Sequence, residues 1–298
     1  MKSVGFVGFG EAARCFAGAF SNTDTAVGIF CNGRSNRPPY STVFLSDVEA
    51  CGAKAYSAIE SLLAETEVVV SAVTVDTAEA VGMEVIEKAR ADQLVVDINA
   101  STPSVKRRLS EAALARDVPY SDASIMGAVS IYGVTVQILA SGSGAHRFVK
   151  EFEPYGFRID VLENDPVAAA GVKMLRSVVT KGMEALLVEA LTAAQLLGIV
   201  PAAFEGICGP MDATTFSDFA RMCIKTDVLH SGRREVEMRE IAEELISLGV
   251  DPVMSQATAA RLQTSASFGL RERFLGKASY DYEEVLAAYA EVLAAALG

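Results

Sequence analysis

The stretch that decides the fold lies near the start of the chain and reads Val4-Gly5-Phe6-Val7-Gly8-Phe9-Gly10-Glu11-Ala12-Ala13. Its apolar residues predict a strand, the two glycines predict a tight turn, and the residues that follow are typical of a helix. Gly8 permits the turn, Gly10 lets a ligand approach the backbone without a Cβ in the way, and Ala13 keeps the helix close to the strand. This is the G-x-G-x-x-G/A arrangement that receives the pyrophosphate of a dinucleotide.

The start of the predicted helix supplies the polar groups of this site. The backbone amides of Glu11 and Ala12 precede the first helical hydrogen bonds and are expected to face the phosphates, where the helix dipole favours negative charge. The motif alone leaves a second interpretation open, because small residues after a strand also serve plain packing of a helix. The rest of the chain decides between the two.

Composition indicates a globular protein with room for two domains. The chain has 298 residues, of which 51% are hydrophobic and 21% charged, and its net charge is −12. This acidity disfavours nucleic acid and anionic membranes as partners. No uncharged apolar run approaches the ~18 residues that span a bilayer, and Met1-Lys2-Ser3 runs straight into the first predicted strand without a signal-peptide region. We therefore expect a cytoplasmic protein that acts on small molecules.

Cysteine and histidine contents restrict the chemistry. The five cysteines include no C-x-x-C pair, and an odd number argues against a closed disulfide framework. Only two histidines are present, so neither a His-rich metal site nor a Ser/His/Asp triad has much material. We expect no metal centre, and we expect acid–base chemistry to use another residue.

Short β-rich runs alternate with helical patterns along the first part of the chain. The predicted strands cover 25–31, 67–73, 94–98 and 134–140, and the predicted helices cover 77–90 and 103–116. Continuous apolar strands such as Val68-Val69-Val70 suit a sheet covered on both faces, and the alternation indicates parallel βαβ units. The predicted fold class is α/β, with a Rossmann-type doubly wound parallel sheet over residues 1–164.

After Asp165-Pro166 the pattern changes to Ala-rich helices without a convincing strand. Asp165 as N-cap and Pro166 at the first helical position predict the start of a long helix from Val167 to about Leu197. We therefore predict an all-α C-terminal domain, residues 165–298, joined to the first domain through this helix.

Three further segments follow the glycine fingerprint along the chain and, together with it, indicate a family. They are Asp97-Ile98-Asn99-Ala100-Ser101-Thr102-Pro103, Asp122-Ala123-Ser124-Ile125-Met126-Gly127-Ala128 and Gly171-Val172-Lys173. With the fingerprint, they resemble the β-hydroxyacid dehydrogenase superfamily, which includes 3-hydroxyisobutyrate and 6-phosphogluconate dehydrogenases. The segments Lys173-Met174, Thr180-Lys181-Gly182 and 233–238 resemble the branch with a C-terminal domain of unknown function, DUF1932. The resemblance covers most of the chain and implies a relative of 6-phosphogluconate dehydrogenase rather than that enzyme itself.

The chain departs from the family in its substrate loop. Where the family has Asp-Ala-Pro-Val-Ser-Gly-Gly, the proline is replaced by Ser124, the serine by Met126 and the second glycine by Ala128. Four residues beyond the catalytic lysine the family has asparagine, and this chain has Ser177. A sugar phosphate is therefore a poor candidate, and we expect a differently shaped substrate that touches Ser124, Gly127 and Ser177.

The resemblance implies that Lys173 is the catalytic residue. Hydride transfer at a secondary alcohol needs a group that moves the hydroxyl proton, and a desolvated lysine can act as general acid and base. Composition alone favours an ordinary lysine that reaches solvent from a long helix. Lys181 follows eight residues later on nearly the same helical face and is a candidate for binding an anionic substrate, with a solvated surface lysine as the alternative.

The residues after the second predicted strand bear on the choice of cofactor. An NAD site normally has Asp or Glu there, which accepts from the ribose 2′-hydroxyl and would repel a 2′-phosphate. This chain instead has Asn32, Gly33, Arg34 and Ser35. Arg34 offers a planar fork to a phosphate, with Asn32 and Ser35 as neutral donors. We expect NADP rather than NAD, the alternative being that Arg34 only solvates a loop.

Further candidates follow the next strands. Val73 and Thr74 are expected near the nicotinamide ribose, and Asn99 lies at the same carboxyl edge, where ligands of open α/β sheets collect. Ser101 either joins them or caps the helix that begins at Pro103.

Charged residues of the second domain offer a weaker signal. The segment from Arg233 to Leu245 alternates charges at i,i+4 spacing, which is typical of a solvated helix face. His230, Arg233 and Arg234 are alternatives for binding an anionic substrate, by family analogy alone.

Together these observations predict an NADP-dependent oxidoreductase that interconverts a hydroxyl and a carbonyl on a small or medium organic acid or related substrate. The resemblance also implies a homodimer formed through the helical domain. Two alternatives stay open: an imine reductase, which generally lacks the lysine, and a nonenzymatic NADP-sensing protein that has lost turnover.

Overall fold

The structure of the protein is a computed structural model that describes residues 1–33, 37–163 and 165–297. The chain forms two compact units, Met1–Val178 and Val179–Gly298. A long helix runs across this division, and the domain boundary that the sequence places after residue 164 stays a prediction.

The first unit is built on one sheet of eight strands in the order β3-β2-β1-β4-β5-β6-β7-β8. The strands are β1 (Ser3–Val7), β2 (Ala26–Phe30), β3 (Ala53–Tyr56), β4 (Val68–Ser71), β5 (Leu94–Asp97), β6 (Tyr120–Ile125), β7 (Gln137–Ser141) and β8 (Arg158–Val161). The first six strands pair in parallel. The strand order reverses between β1 and β4, so the crevice at their carboxyl ends is where such sheets bind ligands.

Helices cover both faces of this sheet. They are α1 (Glu11–Gly18), α2 (Thr42–Ala50), α3 (Ile59–Glu65), α4 (Ala78–Lys88), α5 (Pro103–Leu114), α6 (Val129–Tyr132) and α7 (Ala145–Phe152). Alternate strand residues enter opposite cores: Val68 and Val70 join one buried cluster, and Val69 joins the other. A continuous apolar strand therefore has a partner layer on each side, which confirms the predicted doubly wound class.

One predicted strand is displaced, and the sheet is not wholly parallel. Residues Gly133–Thr135 form a 3-10 turn, which covers the first two residues of the strand predicted at 134–140, and β7 begins only at Gln137. Gly133 has φ +56°, a conformation that L side chains rarely adopt, so the chain turns there. β7 then pairs antiparallel with β6, because this connection holds only one short helix and does not cross over the sheet.

Helices make up the described part of the second unit, and no strand occurs among residues 179–297. They are α8 (Ala168–Leu196), which starts in the first unit, α9 (Val200–Asp212), α10 (Phe216–Ser247), α11 (Val253–Ser267), α12 (Arg271–Phe274) and α13 (Tyr282–Leu297). A core of Val228, Phe274, Val285, Ala288 and Tyr289 holds α10, α12 and α13 together. The prediction of an all-α C-terminal region is confirmed.

Within the described residues, no helix combines the length and the apolar character that crossing a bilayer requires.

Candidate functional site

The glycine turn after β1 has the geometry that the motif predicts. Gly8 has φ +97°, and a Cβ added to it would lie 2.1 Å from the carbonyl oxygen of Ala72. Its N–H donates to the carbonyl of Phe30 at 2.8 Å, which ties the turn to β2. A larger residue at Gly8 would therefore force β1 and β4 apart.

Gly10 and the start of α1 form an open cradle. A Cβ added to Gly10 would meet no described atom within 4 Å. Gly10 is the N-cap and offers no side-chain acceptor, and the helical hydrogen bonds begin only with Arg14 N–H to the Gly10 carbonyl. The amides of Glu11, Ala12 and Ala13 precede that bond, so this end of the helix suits an anionic group such as a pyrophosphate.

The start of α8 differs from that of α1, because its amides are already satisfied. The predicted start of this helix was two residues early: α8 begins at Ala168, and Pro166 lies in a turn that is closed by the bond from Ala168 N–H to the Asp165 carbonyl at 3.0 Å. In that turn Val167 N–H donates to Asp165 Oδ1 at 2.8 Å. Ala169 N–H donates to Ser141 Oγ at 3.2 Å, and Ala170 N–H donates to Asp122 Oδ2 at 2.8 Å. The sheet therefore fixes the beginning of α8, and of the two helix starts only that of α1 has amides to offer a phosphate.

Asn99 joins two loops at the carboxyl edge of the sheet. Its Oδ1 accepts from Val73 N–H at 2.7 Å, and its Nδ2 donates to Ser71 Oγ at 2.9 Å and to Asp97 Oδ1 at 2.7 Å. Asn99 is buried, and Thr74 beside Val73 is exposed. Asn99 thus holds the loop after β4, where the predicted ribose contacts lie.

The predicted 2′-phosphate site falls partly outside the described residues. Asn32 and Gly33 follow β2 and are exposed. Arg34 and Ser35 lie outside the described ranges, so their roles stay predictions.

The proposed cap of α5 was wrong. Thr102, not Ser101, is the N-cap, and its Oγ1 accepts from Val105 N–H at 3.5 Å. Pro103 takes the first helical position, which makes the residue directly before it the cap. Ser101 Oγ is buried and has no hydrogen-bond partner among the described residues, so it is one polar atom that a ligand at this edge would satisfy.

The sequence interpretation missed a buried ion cluster at the end of β5 and the middle of β6. The Lys106 side chain is 0% exposed, and its Nζ lies 2.9 Å from Asp97 Oδ1 and 3.3 Å from Asp122 Oδ1. Nζ also donates to the Asp97 carbonyl at 2.7 Å. Lys106 shares a helical stripe with Leu109 and Ala113, which are buried. A lysine in an otherwise apolar stripe was the available signal.

Lys173 is half-buried in α8, two residues after Gly171. Burial lowers the pKa of its ammonium, and the charge of Lys106 lowers it further, while the carboxylate of Asp122 opposes both. A lysine with a lowered pKa carries more neutral amine near neutral pH and can act as a base as well as an acid.

The three other residues that are predicted to touch the substrate differ in how far solvent reaches them. Ser177 is half-buried one turn later on α8, and Gly127 is exposed in the loop after β6. Ser124 is 1% exposed and pairs with Leu139 inside the sheet. Their predicted contacts with a substrate stay predictions, and Gly127 is the one that solvent reaches most freely.

Arg176 is a second residue that the sequence interpretation missed. Its Nη1 donates to the carbonyl oxygen of Met126, in the predicted substrate loop, at 2.6 Å. It lies three residues after Lys173, a spacing that places two side chains on one face of a helix. Arg176 is exposed and also lowers the pKa of Lys173. A cation thus stands beside the lysine and the loop.

The candidates of the second unit lie in separate places within it. Lys181 lines an open groove of about 430 Å³ with Glu184, Glu189 and Asp251. Arg234 donates to Thr226 Oγ1 at 3.0 Å. Arg233 pairs with Glu237, and the predicted i,i+4 pair of Glu235 and Arg239 is confirmed. His230 is exposed.

Two family models match the chain. One, described as NADP oxidoreductase, coenzyme F420-dependent, matches residues 3–101. The other, the domain of unknown function DUF1932, matches residues 198–265. They cover the glycine turn and much of the helical unit respectively.

Two relatives match nearly the whole chain. One is a conserved protein of unknown function, reported to be structurally similar to 3-hydroxyacid dehydrogenases; it is 30% identical, with a TM-score of 0.61 over 90% of this chain and 98% of that protein. The other is an uncharacterized 28.5 kDa protein of Methanothermus fervidus, 27% identical over 259 residues, which are 86% of this chain and 95% of that one.

Imine reductases share the fold at much lower identity. The enzyme of Bacillus cereus is 16% identical, with a TM-score of 0.75 over 97% of this chain and 99% of its own. That of Myxococcus stipitatus, in complex with NADP+, is 15% identical with a TM-score of 0.70 over 92% and 99%. A variant of it is in complex with NAD+, so this fold accommodates both dinucleotides. The predicted membership is confirmed: the chain belongs to the 3-hydroxyacid dehydrogenase-like family of nicotinamide-dinucleotide-binding proteins, in the branch that carries a DUF1932 domain.

Proposed function

We propose that the protein is an NADP-dependent oxidoreductase that interconverts a hydroxyl and a carbonyl on a small or medium organic acid, with Lys173 as general acid and base. The observation that carries this proposal is the setting of Lys173. It is a half-buried lysine whose pKa is lowered by burial and by the charge of Lys106, on a helix whose first turn is fixed to the sheet.

Lys173 moves the hydroxyl proton in both directions. During oxidation its neutral Nζ takes the proton from the substrate hydroxyl as the carbonyl forms; during reduction its ammonium returns a proton to the developing alkoxide. The nicotinamide cofactor, when bound, accepts or supplies the hydride. The ammonium also stabilises negative charge on the substrate oxygen during the reaction.

The cofactor is held at the glycine turn. Gly8 and Gly10 shape the turn, and the amides of Glu11, Ala12 and Ala13 bind the pyrophosphate. Val73, Thr74 and Asn99 lie on the nicotinamide side. Asn32, Arg34 and Ser35 are assigned to binding the 2′-phosphate of the cofactor. Two observations support NADP over NAD: the sequence has no acid directly after β2, at residues 31–37, and the matching family description names NADP.

Arg176 receives the carboxylate of the organic acid. A guanidinium has five N–H donors, and one is used on the Met126 carbonyl. The others suit a planar carboxylate, which accepts two parallel hydrogen bonds from such a fork. We assign Ser124, Gly127 and Ser177 of the first unit to the same substrate site, and Lys181 stays a separate candidate for binding an anionic group.

Imine reduction is the second candidate. The TM-score of 0.75 with an imine reductase favours it, as do the exposed apolar side chains of Ile131 and Tyr132 just after the substrate loop. A C=N bond needs a proton donor at nitrogen, and in this candidate function that donor is a group other than Lys173.

The helical unit is proposed to form a homodimer. Many large apolar side chains on α8, on α9 and in the turn between them are exposed in the single chain, among them Leu186, Leu187, Val188, Leu196, Leu197 and Phe204. Contiguous exposed apolar surface of this kind is typical of a subunit interface.

The test is consumption of NADPH, with NADH in parallel, over a panel of ketoacids, aldehydes, aryl ketones and cyclic imines. The proposal is supported if turnover of a carbonyl falls at least ~100-fold in Lys173→Met and does not fall in the control Lys150→Met. Lys150 is an exposed lysine on α7. Turnover of imines that survives Lys173→Met favours the imine reductase. Tight binding of NADPH without turnover of any compound favours a nonenzymatic sensor.

A further inference from the structure

A glycine of the predicted substrate loop lies directly beside an aromatic ring. A Cβ added to Gly127 would stand 3.3 Å from Cδ2 of Tyr132 and 3.0 Å from Cγ2 of Val136, both shorter than ordinary van der Waals contact. Because glycine has no Cβ, the edge of the Tyr132 ring can approach the backbone of the loop. Gly127 therefore determines how close this ring lies to the substrate loop.

The peptide group between Met126 and Gly127 joins the ring to Arg176. Arg176 Nη1 donates to the carbonyl oxygen of Met126 at 2.6 Å. That oxygen and the Cα of Gly127 belong to one planar peptide unit. The guanidinium of Arg176 and the ring of Tyr132 are therefore neighbours of the same peptide group, and both belong to the first unit.

The backbone of Tyr132 is held on both sides. Its N–H donates to the Ala128 carbonyl at 3.1 Å, and its own carbonyl accepts from Thr135 Oγ1 at 2.7 Å. Tyr132 is the last residue of α6, and α6 packs on α1, which begins at the glycine turn. A fixed segment that contacts both the substrate loop and the proposed cofactor helix thus carries the ring.

The ring itself is largely open to solvent. Tyr132 is 58% exposed, and the adjacent Ile131 is 73% exposed. Among the described residues, no other aromatic ring pairs with Tyr132. Aromatic rings favour stacked or edge-to-face partners, and a tyrosine has only two χ angles to immobilise when a ligand packs on it. The exposed surface of this ring therefore suits a flat apolar group.

The neighbours of this peptide group suit two different ends of one substrate. Arg176 offers a charged fork to a carboxylate, whereas Tyr132 and Ile131 offer mainly apolar area and no charge. A polyhydroxylated chain against this apolar surface would exchange water for poor partners, which is unfavourable. An aryl group would instead leave water and stack on the ring.

We propose that Tyr132 is a specificity-determining residue whose ring packs against the flat apolar end of the substrate, so that the organic acid carries an aryl or similarly planar group. This assignment rests on the proposed function for the position of the carboxylate at Arg176. It concerns the end of the substrate that does not react, so it applies to reduction of C=O and of C=N alike.

The first test is a binding measurement that needs no turnover. The chain contains no tryptophan, so Tyr132→Trp keeps an aromatic ring there and makes it the single tryptophan reporter of the full-length protein. Its emission is titrated with phenyllactate and with glycerate at saturating NADP+. Phenyllactate should change the emission in a saturable manner, and glycerate should not.

The control reporter is Leu114→Trp. Leu114 is 72% exposed at the end of α5, whereas α5 begins at the carboxyl edge of the sheet, so Leu114 lies away from the candidate site. Neither acid should change the emission of this variant. A response of Leu114→Trp equal to that of Tyr132→Trp would mean that phenyllactate acts on the protein without contacting Tyr132, and would overturn the assignment.

Turnover supplies the second readout and separates the ring from its hydroxyl. Tyr132→Ala should lower kcat/KM for phenyllactate about tenfold, because the stacking partner is lost, and should change kcat/KM for glycerate far less. Tyr132→Phe keeps the ring and should retain the preference of the wild type. Loss of that preference in Tyr132→Phe would assign the contact to the hydroxyl and overturn the role of the ring.

The two readouts also separate this inference from the proposed function. A saturable response of Tyr132→Trp to phenyllactate in a protein that turns over neither acid would sink the proposed function and leave the assignment of Tyr132 standing. Turnover of glycerate that depends on Lys173, with an emission that responds to both acids equally or to neither, would support the proposed function and overturn the assignment of Tyr132.

Discussion

Asp122 Oδ2 accepts a hydrogen bond from the backbone N–H of Ala170 at 2.8 Å, and this bond fixes the middle of β6 to the first turn of α8. Lys173 follows almost one turn later, so its place in the first unit depends on a carboxylate of the sheet. General acid–base catalysis tolerates little displacement of the proton-transferring group. The rigidity of this joint is therefore a requirement of the proposed reaction, and its neighbours can be tested.

Ser141→Ala should weaken the same joint without removing a charge. Ser141 Oγ accepts from Ala169 N–H and donates to the Pro166 carbonyl, both at 3.2 Å, and is fully buried. The variant leaves both backbone groups unpaired, which should lower the free energy of unfolding by about 1–3 kcal/mol, as measured by urea denaturation. Ser130→Ala, at an exposed site on α6, should change that free energy by less than about 0.5 kcal/mol. Equal stabilities for the two variants would contradict this account.

Gly8→Ala and Gly10→Ala should separate folding from binding. At Gly8 a Cβ would lie 2.1 Å from the Ala72 carbonyl oxygen in a left-handed backbone, so we expect a loss of at least about 3 kcal/mol in unfolding free energy. At Gly10 a Cβ meets no described atom, so stability should change by less than about 1 kcal/mol. The methyl group would instead occupy the cradle, and NADPH affinity should fall at least about tenfold. Thermal unfolding and fluorescence titration measure the two effects. Unchanged NADPH affinity in Gly10→Ala would remove the pyrophosphate from this turn.

The parts of the fold that sequence predicts well are those set by local chemistry. The turn at Gly8 has a positive φ, and Asp165 accepts from Val167 N–H in the turn before α8, so both turns are visible in a few consecutive residues. The position of β7 depended on the turn at Gly133, whose φ of +56° is not marked by its neighbours. The apolar pattern therefore predicted a strand from residue 134, whereas β7 begins at Gln137.

The buried cluster lay beyond such patterns because it joins residues distant in sequence. Asp97, Lys106 and Asp122 come together only when β5 and β6 pair and α5 packs on them. Arg176 is similar, since its partner is a backbone carbonyl at Met126. The sequence alone does not distinguish Lys106 or Arg176 from an ordinary surface charge. The one indication for Lys106 is its place in the apolar stripe of Leu109.

The pH dependence of turnover should have opposite signs in the two directions. Oxidation needs the neutral amine of Lys173, so kcat/KM should rise as the pH passes upward through its pKa. Reduction needs the ammonium, so kcat/KM should fall over the same range. Because burial and Lys106 lower this pKa, the midpoint should lie below that of an ordinary lysine, and Lys173→Met should abolish the dependence. Profiles of the same sign in both directions would assign the proton to another group.

Arg176→Met should impair acids selectively. If Arg176 binds the substrate carboxylate with two hydrogen bonds, its loss should raise KM for a hydroxy acid about 10–100-fold. Turnover of the matching methyl ester should change far less, because the ester carries no charge. Arg176→Lys keeps the charge but lacks the fork, so it should recover only part of the affinity for the acid. Equal losses for acid and ester would mean that Arg176 only holds the loop through Met126.

The proposed dimer should depend on apolar side chains of the helical unit and not on those of the sheet unit. Leu197 and Phe204 are 52% and 53% exposed in the single chain, and a second subunit would remove these apolar side chains from water. Leu197→Glu with Phe204→Glu places charges in the interface and should halve the mass measured by light scattering after gel filtration. Val43→Glu is the matched control, since Val43 on α2 is 69% exposed and equally apolar. A dimer that survives the helical variant, or a wild-type monomer at micromolar concentration, would contradict the proposal.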